Sequence, residues 1–415
     1  MKRSRSVILA TVAALAAGSA AVYVSSTATA AVACAPAWSA SAVYVGGNSA
    51  SQNGRNYTAK WWTQNESPAT HSGQWDVWAD KGACGDTPPP TTPPTTPPTT
   101  PPTMPPTTPP TPPPPNGSLP RHFLTGYWQN FDNGAAPLKL AAVPAAYDLI
   151  AVAFADATAN PGAVTFNLDP GLASAVGGYT DAQFKADVAT LKQRGKKVVI
   201  SVGGEKGTVA VNSTAAATAF ADSAHRLITT YGFDGVDIDL ENGLNPTFMA
   251  QALRSLRSKV GASLIITMAP QTIDMQNAAS SYFALALSIK DILTVVFTQY
   301  YNSGSMLGCD NSFAYAQGTV NFLTALACIP LQNGLRPDQV ALGLPASTRA
   351  AGGGYVAPAV VNQALDCLAK GTNCGSFRPP ATYPAIAGAM TWSINWDVSN
   401  GNAFANTVKP HLDSL

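Results

Sequence analysis

Between residues 119 and 415, short apolar runs rich in β-branched residues alternate with longer segments whose apolar positions recur at helical spacing. The short runs are His122–Trp128, Leu149–Ala155, Lys197–Val202, Gly235–Leu240, Leu264–Ala269, Leu293–Tyr301, Gln339–Leu344 and Ile386–Ser393. Each reads as a buried strand. In the intervening segments Phe220, Ala224, Leu227, Ile228 and Tyr231 share one helical face. So do Met249, Leu253, Leu256 and Val260, which follow Asn245-Pro246, a cap and first-turn pair. Eight strands alternating with helices predict an α/β fold, a (β/α)8 barrel. A doubly wound open sheet is the other arrangement the pattern allows.

The pattern breaks upstream. From Thr87 to Pro115 the chain is almost entirely Pro and Thr, which can bury no core and offers few backbone donors. Such a segment is an extended spacer, reaching up to roughly 90 Å at about 3.1 Å per residue. The expected organisation is therefore a signal segment over 1–30, a small module over 31–85, a linker over 86–118 and the barrel over 119–415. The module holds five of the eight tryptophans, and Trp38, Tyr44, Tyr57, Trp61, Trp62, Trp75 and Trp78 are more rings than so small a core needs. A small all-β module with rings left over for solvent is suited to stacking on flat ligands, and Trp61 and Trp62 are the candidates. Trp38 and Trp75 read as core.

Lys2, Arg3 and Arg5, the apolar stretch Val7–Ala17 and the small-x-small run Ala28-Thr29-Ala30 read as an export signal. The expectation is a secreted, extracellular protein with no membrane span. Export permits disulfides, and pairing the six cysteines by domain and proximity gives Cys34–Cys84, Cys309–Cys328 and Cys367–Cys374. The formal charge of +1, with no basic run beyond the N-terminus, argues against nucleic-acid binding. No Cys or His spacing suggests zinc, and no metal or organic cofactor is expected. Nothing indicates an oligomer, so a monomer is expected.

Only 11% of residues are charged, yet Asp234, Asp237, Asp239 and Glu241 crowd into Phe233–Gly243, FDGVDIDLENG. Asp237, Asp239 and Glu241 sit at i, i+2 and i+4, separated by Val236, Ile238 and Leu240. In a barrel strand this row climbs the inner face to the carboxyl end, where active sites form. Three neighbouring carboxyls cannot all ionise cheaply, so at least one should hold a proton and the set should titrate together. That is how a Glu becomes a general acid near neutral pH. Asp234 breaks the parity and reads as structural.

DGVDIDLE matches the DxxDxDxE signature of glycoside hydrolase family 18, and the large domain resembles that family throughout. Ser201-Val202-Gly203-Gly204 matches its SxGG motif. Met268-Ala269-Pro270-Gln271, Gln299-Tyr300-Tyr301-Asn302 and Trp392 follow in the family's order. The resemblance implies endo-acting hydrolysis of chitin and chitin oligosaccharides by a retaining mechanism in which the substrate's 2-acetamido group is the nucleophile, an exception to the usual two-carboxylate scheme. Glu241 would be the general acid and base. Asp239 would hold the acetamido N–H, Asp237 would share a proton with Asp239, and Tyr301 would bond the acetamido oxygen. Trp392, Gln299, Met268, Tyr127 and Ser201 would bind substrate or support the site, with Ser201 bonded to the buried aspartate and Trp128 a weaker cleft candidate. Gly203 and Gly204 would permit a tight turn. The module is similar to family 5/12 carbohydrate-binding modules in AW, AKWWTQ and the later Trp pair, which implies chitin binding. The segment between the seventh and eighth strands is too short for an added domain, which implies an open groove and internal cleavage. Two other activities fit the same signature, an endo-β-N-acetylglucosaminidase on glycoprotein glycans and a non-catalytic chitin-binding lectin.

Overall fold

The computed structural model describes residues 32–40, 42–44, 47–60, 63–64, 66–73, 77–85 and 119–415, which fall into two bodies, each taken by itself. The expected export signal, the Pro/Thr linker and Trp61, Trp62 and Trp75 lie outside the described residues. Among the described residues no helix is long and apolar enough to cross a membrane.

The large body is a closed parallel barrel. Its strands are β1 (Phe123–Gln129), β2 (Leu149–Ala157), β3 (Lys197–Gly204), β4 (Gly235–Leu240), β5 (Ile265–Met268), β6 (Val295–Gln299), β7 (Val340–Pro345) and β8 (Gly388–Trp392). Each pairs in parallel with the next, and β8 pairs with β1 to close the ring. The expected strands are all present, with ends displaced by about two residues or fewer. The outer layer contains α1 (Asp181–Gln193), α2 (Thr214–Tyr231), α3 (Pro246–Val260), α4 (Ser281–Ser288), α5 (Val320–Gln332), α6 (Pro358–Lys370) and α7 (Ala403–Asp413). The β1–β2 connection carries only a 3₁₀ turn, Leu140–Ala142.

Alternation sorts the side chains into two cores. Val236, Ile238 and Leu240 on β4 join the apolar layer between strands and helices, which also takes Phe220, Leu227 and Ile228 of α2 and Leu253 and Leu256 of α3. The barrel interior is filled by Phe123, Leu149, Val199, Ile265, Val295, Phe297, Ala341, Ala387 and Met390. α3 begins as its sequence predicts: Asn245 accepts from the N–H groups of Thr247 and Phe248, and Pro246 takes the first turn.

Two features were not legible beforehand. After β6 a hairpin, Ser305–Leu307 with Ala314–Ala316, stands before α5, with the Cys309–Cys328 disulfide beside it. After β8 a short helix, Ile394–Ser399, buries Asp397, which accepts from Tyr147 Oη at 2.7 Å and from the backbone N–H groups of Phe404 at 2.8 Å and Ala405 at 3.0 Å. Asp397 thus ties α7 to the segment entering β2. Residues 346–387 carry α6 and the Cys367–Cys374 disulfide and no further strand.

In the small body Ser49–Gln52, Arg55–Ala59 and Trp78–Ala83 form an antiparallel sheet. Its core is Ala50, Tyr57, Ala59, Val77 and Trp78, with Trp38 and Tyr44 packed against it. Trp78 donates its indole N–H to Glu66 O at 2.8 Å. The Cys34–Cys84 disulfide joins its ends. All three disulfides have the expected pairing.

Asp397→Ala strands two backbone N–H groups and a tyrosine hydroxyl in the core, so a loss of about 3 kcal/mol in stability is expected by urea unfolding. Asp397→Asn, which keeps the acceptor oxygen, should lose less.

Candidate active site

The acidic row runs up the inner face of β4, and interstrand register gives each acid its neighbours. Asp237 lies opposite Ser201 on β3 and Thr267 on β5, and Asp239 lies opposite Gly203. Asp237 is fully buried. Its Oδ2 accepts from Tyr127 Oη and Ser201 Oγ, both at 2.7 Å, and its Oδ1 accepts from Thr267 Oγ1 at 2.6 Å. Burial raises its pKa above the ordinary carboxylate value, and the three hydroxyls oppose that rise.

Asp239, one step higher, accepts a single side-chain bond among the described residues, from Gln299 Nε2 at 2.9 Å. Burial pushes its pKa well above the ordinary value, and the charges of Asp237 and Glu241 push it further. Gln299 also donates to Ala269 O at 2.8 Å, which fixes the amide's orientation. Glu241 is at the rim, half-buried. Gln271 Nε2 donates to its Oε2 at 3.3 Å, while burial and the charges of Glu205 and Asp274 raise its pKa. Proton-holding thus grades along the row, with Asp239 the carboxyl most disposed to stay neutral.

These groups open into a cleft of about 1060 Å³ at the carboxyl end of the barrel, lined by Asp239, Glu241, Gln299, Tyr301 and Trp392 together with Phe131, Phe154, Asn302 and Arg349. The Trp392 ring stacks on Phe154 at 5.8 Å and 18°, and touches Tyr127 at 5.5 Å and Phe131 at 6.3 Å. Tyr301 faces the charges of Asp239, Glu241 and Asp237, and burial is the main reason its pKa rises. Tyr300 points the other way, into the outer core against Phe322.

Gly203 and Gly204 do more than turn the chain. A Cβ on Gly203 would lie 2.1 Å from Asp239 O, and one on Gly204 would lie 2.6 Å from the Phe154 ring, at φ of 127° and 77°. Glycine lets β3 press against the backbone of the acidic strand at Gly203 and makes room for the Phe154 ring of β2 at Gly204. Asp234 is structural: it accepts from Val198 N–H at 2.9 Å and pairs with Lys192 at 3.2 Å.

Two site expectations are corrected. Met268 does not face the cleft: it is paired with Ile238 on β4, and both side chains enter the outer core. Strand parity gives the inward positions of β5 to Thr267 and Ala269. Tyr127 does not line the cleft either. It is buried beneath it, with its hydroxyl on Asp237 and its ring against Trp392. Trp128 is outward, packed on Phe184. Trp61 and Trp62 lie outside the described residues. Sequence reading missed Thr267, Gln271, Phe131 and Phe154. For Thr267 and Gln271 a signal existed, since both adjoin or belong to the Met268–Gln271 run. The two phenylalanines carry none: Phe131 follows β1 and Phe154 lies within β2, and neither sits in a motif.

Barrel, acidic row and glycine-pressed third strand together define the class. Residues 124–408 match the model of glycosyl hydrolases family 18, and the chain belongs to that family. Residues 37–79 match carbohydrate-binding module family 5/12. The chain is similar to Chitinase D of Niallia circulans, 40% identical over 72% of this chain and 63% of that one. It is similar to the crystal structure of a candidate Chitinase A from Streptomyces coelicolor, 67% identical, with a TM-score of 0.69 over 71% of this chain and 99% of that one. It is also similar to a family GH18 chitinase from Chromobacterium violaceum, 32% identical, with a TM-score of 0.64 over 92% of this chain and 100% of that one. The chain spans 63% and 62% of the lengths of the first two curated relatives it matches.

The raised pKa of Asp239 has a stability consequence with a definite sign. The folded state holds this proton to higher pH than the unfolded chain, so the group's contribution is fully present below the ordinary carboxylate pKa and is lost as pH rises through the raised one. Asp239→Asn removes the titration. Its Tm should exceed that of the wild type by a few degrees at alkaline pH and converge with it near about pH 4, read in parallel thermal scans. A difference independent of pH would contradict the assignment.

Proposed function

We propose that the protein is a secreted chitinase that cleaves β-1,4 N-acetylglucosamine linkages within chitin chains and uses its small module to hold the solid substrate. The observation that carries the reading is the graded row: a rim Glu241 with a raised pKa directly above a buried Asp239 disposed to stay neutral. The names of the relatives, chitinases from several bacteria, point the same way. Three disulfides suit an oxidising, extracellular setting.

In this reading Glu241 gives its proton to the glycosidic oxygen as the bond to the anomeric carbon breaks. The carbonyl oxygen of the substrate's own 2-acetamido group attacks that carbon from the opposite face, closing an oxazolinium ring. One oxygen of Asp239 accepts the acetamido N–H, which gathers positive charge as the ring closes. Tyr301 donates to the acetamido oxygen, and the Trp392 ring lies under the sugar. Glu241, now a carboxylate, takes a proton from the incoming water, and the ring opens with retention. The absence of added strands over 346–387 supports an open groove and internal cleavage. The Pro/Thr segment serves as the tether that raises the barrel's concentration at the surface.

Glu241→Gln should lower release of soluble N-acetylglucosamine oligomers from colloidal chitin about 10³-fold while chitin binding persists. A ladder of oligomers early in the wild-type digest supports internal cleavage, whereas a single short product overturns it. A wild type that binds without cleaving, or that releases glycans from a high-mannose glycoprotein and nothing from chitin, overturns the main reading.

A further inference from the structure

The cleft residues named so far account for contact with the sugar and for the acid. They leave open what decides which member of the buried pair, Asp237 or Asp239, keeps its proton. The bonding around the pair is unequal. Among the described residues Asp237 accepts three hydroxyl bonds, from strands β1, β3 and β5, and Asp239 accepts one side-chain bond, from the Gln299 amide. Tyr127 and Ser201 both use Oδ2 of Asp237, and Thr267 is the donor to Oδ1 among the described residues. The titratable groups facing the pair are Tyr127 on β1, Tyr282 on α4, Tyr301 beyond β6 and Glu241 above β4. Each is neutral or negative in its accessible states. The groups bonded to Asp237 are hydroxyls, so any negative charge on it depends on them.

We propose that Thr267 is a positioning residue of the reaction: its hydroxyl, the donor to Oδ1, keeps Asp237 a carboxylate and so leaves the pair's proton on Asp239. The inference rests on the glycosidase reading above and deepens it. A protonated Asp239 keeps one unprotonated oxygen, which accepts from Gln299 Nε2 and has a second lone pair for the acetamido N–H, and an O–H to offer Glu241 once that residue has given up its own proton. Without the Thr267 donor the proton moves toward Asp237. Asp239 then becomes an anion beside Glu241, which holds its proton more tightly and is a poorer acid. Loss of the donor also destabilises the singly protonated pair, so the second proton, which makes the pair neutral, is taken up at higher pH.

The test compares the wild type with Thr267→Val, which keeps the shape and removes the hydroxyl, and with Thr267→Ser, which restores the hydroxyl. On a soluble chitin oligomer kcat of Thr267→Val should fall about tenfold with KM nearly unchanged. The acid limb of its pH–kcat profile should move up by about one unit. Thr267→Ser should return both to near wild type. Should Thr267→Val fail to fold, Thr267→Ala removes the same donor with less bulk. A second readout does not need turnover: in a Glu241→Gln background, infrared difference spectra over pH follow the carboxyl band of the Asp237–Asp239 pair. Its lower titration step should rise by the same amount when Thr267 loses its hydroxyl. An acid limb and a carboxyl titration that both stay in place, or a valine variant that loses only Tm, overturn the inference. A wild type inactive on chitin oligomers overturns the glycosidase reading, and the infrared titration still decides the role of Thr267.

Discussion

The site is organised around the burial of one carboxylate. Asp237 lies inside a closed barrel, fully buried, and its carboxyl group accepts from three hydroxyls at 2.6 to 2.7 Å. Each hydroxyl comes from a different strand, so the Asp237 carboxyl group acts as a junction between β1, β3, β4 and β5. An unbonded charge in such a place would cost far more than a fold of ordinary stability can carry. Strand register must therefore put Ser201 and Thr267 level with Asp237, and it does. The position of Asp239 one layer higher, and of Glu241 at the rim, follows from the two-residue period of the strand.

The same register accounts for the glycines and the rings. Bringing β3 close enough for Ser201 to reach Asp237 leaves no room for a Cβ at Gly203, whose place is filled by the Asp239 carbonyl. At Gly204 the space is taken by Phe154, which stacks on Trp392. The cleft floor is thus an aromatic layer supported from beneath by Tyr127, and Tyr127 also donates to the buried Asp237. A single side chain links the electrostatics of the acid row to the surface on which a sugar would lie. Tyr127 acts from beneath the cleft, without facing it.

The small body solves a different problem. Its core has few residues, and two of its rings, Tyr57 and Trp78, are fully enclosed with Trp38 and Tyr44 against them. A core of that size gains much from a staple, and the Cys34–Cys84 disulfide supplies it by closing a loop with a sequence separation of 50.

Much was determined by sequence alone. The alternation of short apolar runs with helical stretches set the barrel and its strands, because each strand must be apolar where helices cover it. The i, i+2, i+4 spacing of Asp237, Asp239 and Glu241 set their common face, and the cysteines paired as domain and proximity suggested. The tertiary structure decided what depends on the relation between strands. The family resemblance suggests Met268 as a cleft residue; its register with Ile238 turns it outward and gives the inward place to Thr267. Tyr127 is likewise inward, as parity requires, yet one layer too deep to meet a ligand. Phe131 and Phe154 join the floor because the segment after β1, the later half of β2 and the end of β8 meet once the ring closes. Parity along one strand fixes which way a side chain points, but depth in the barrel and the company it keeps arise only when the strands close on one another.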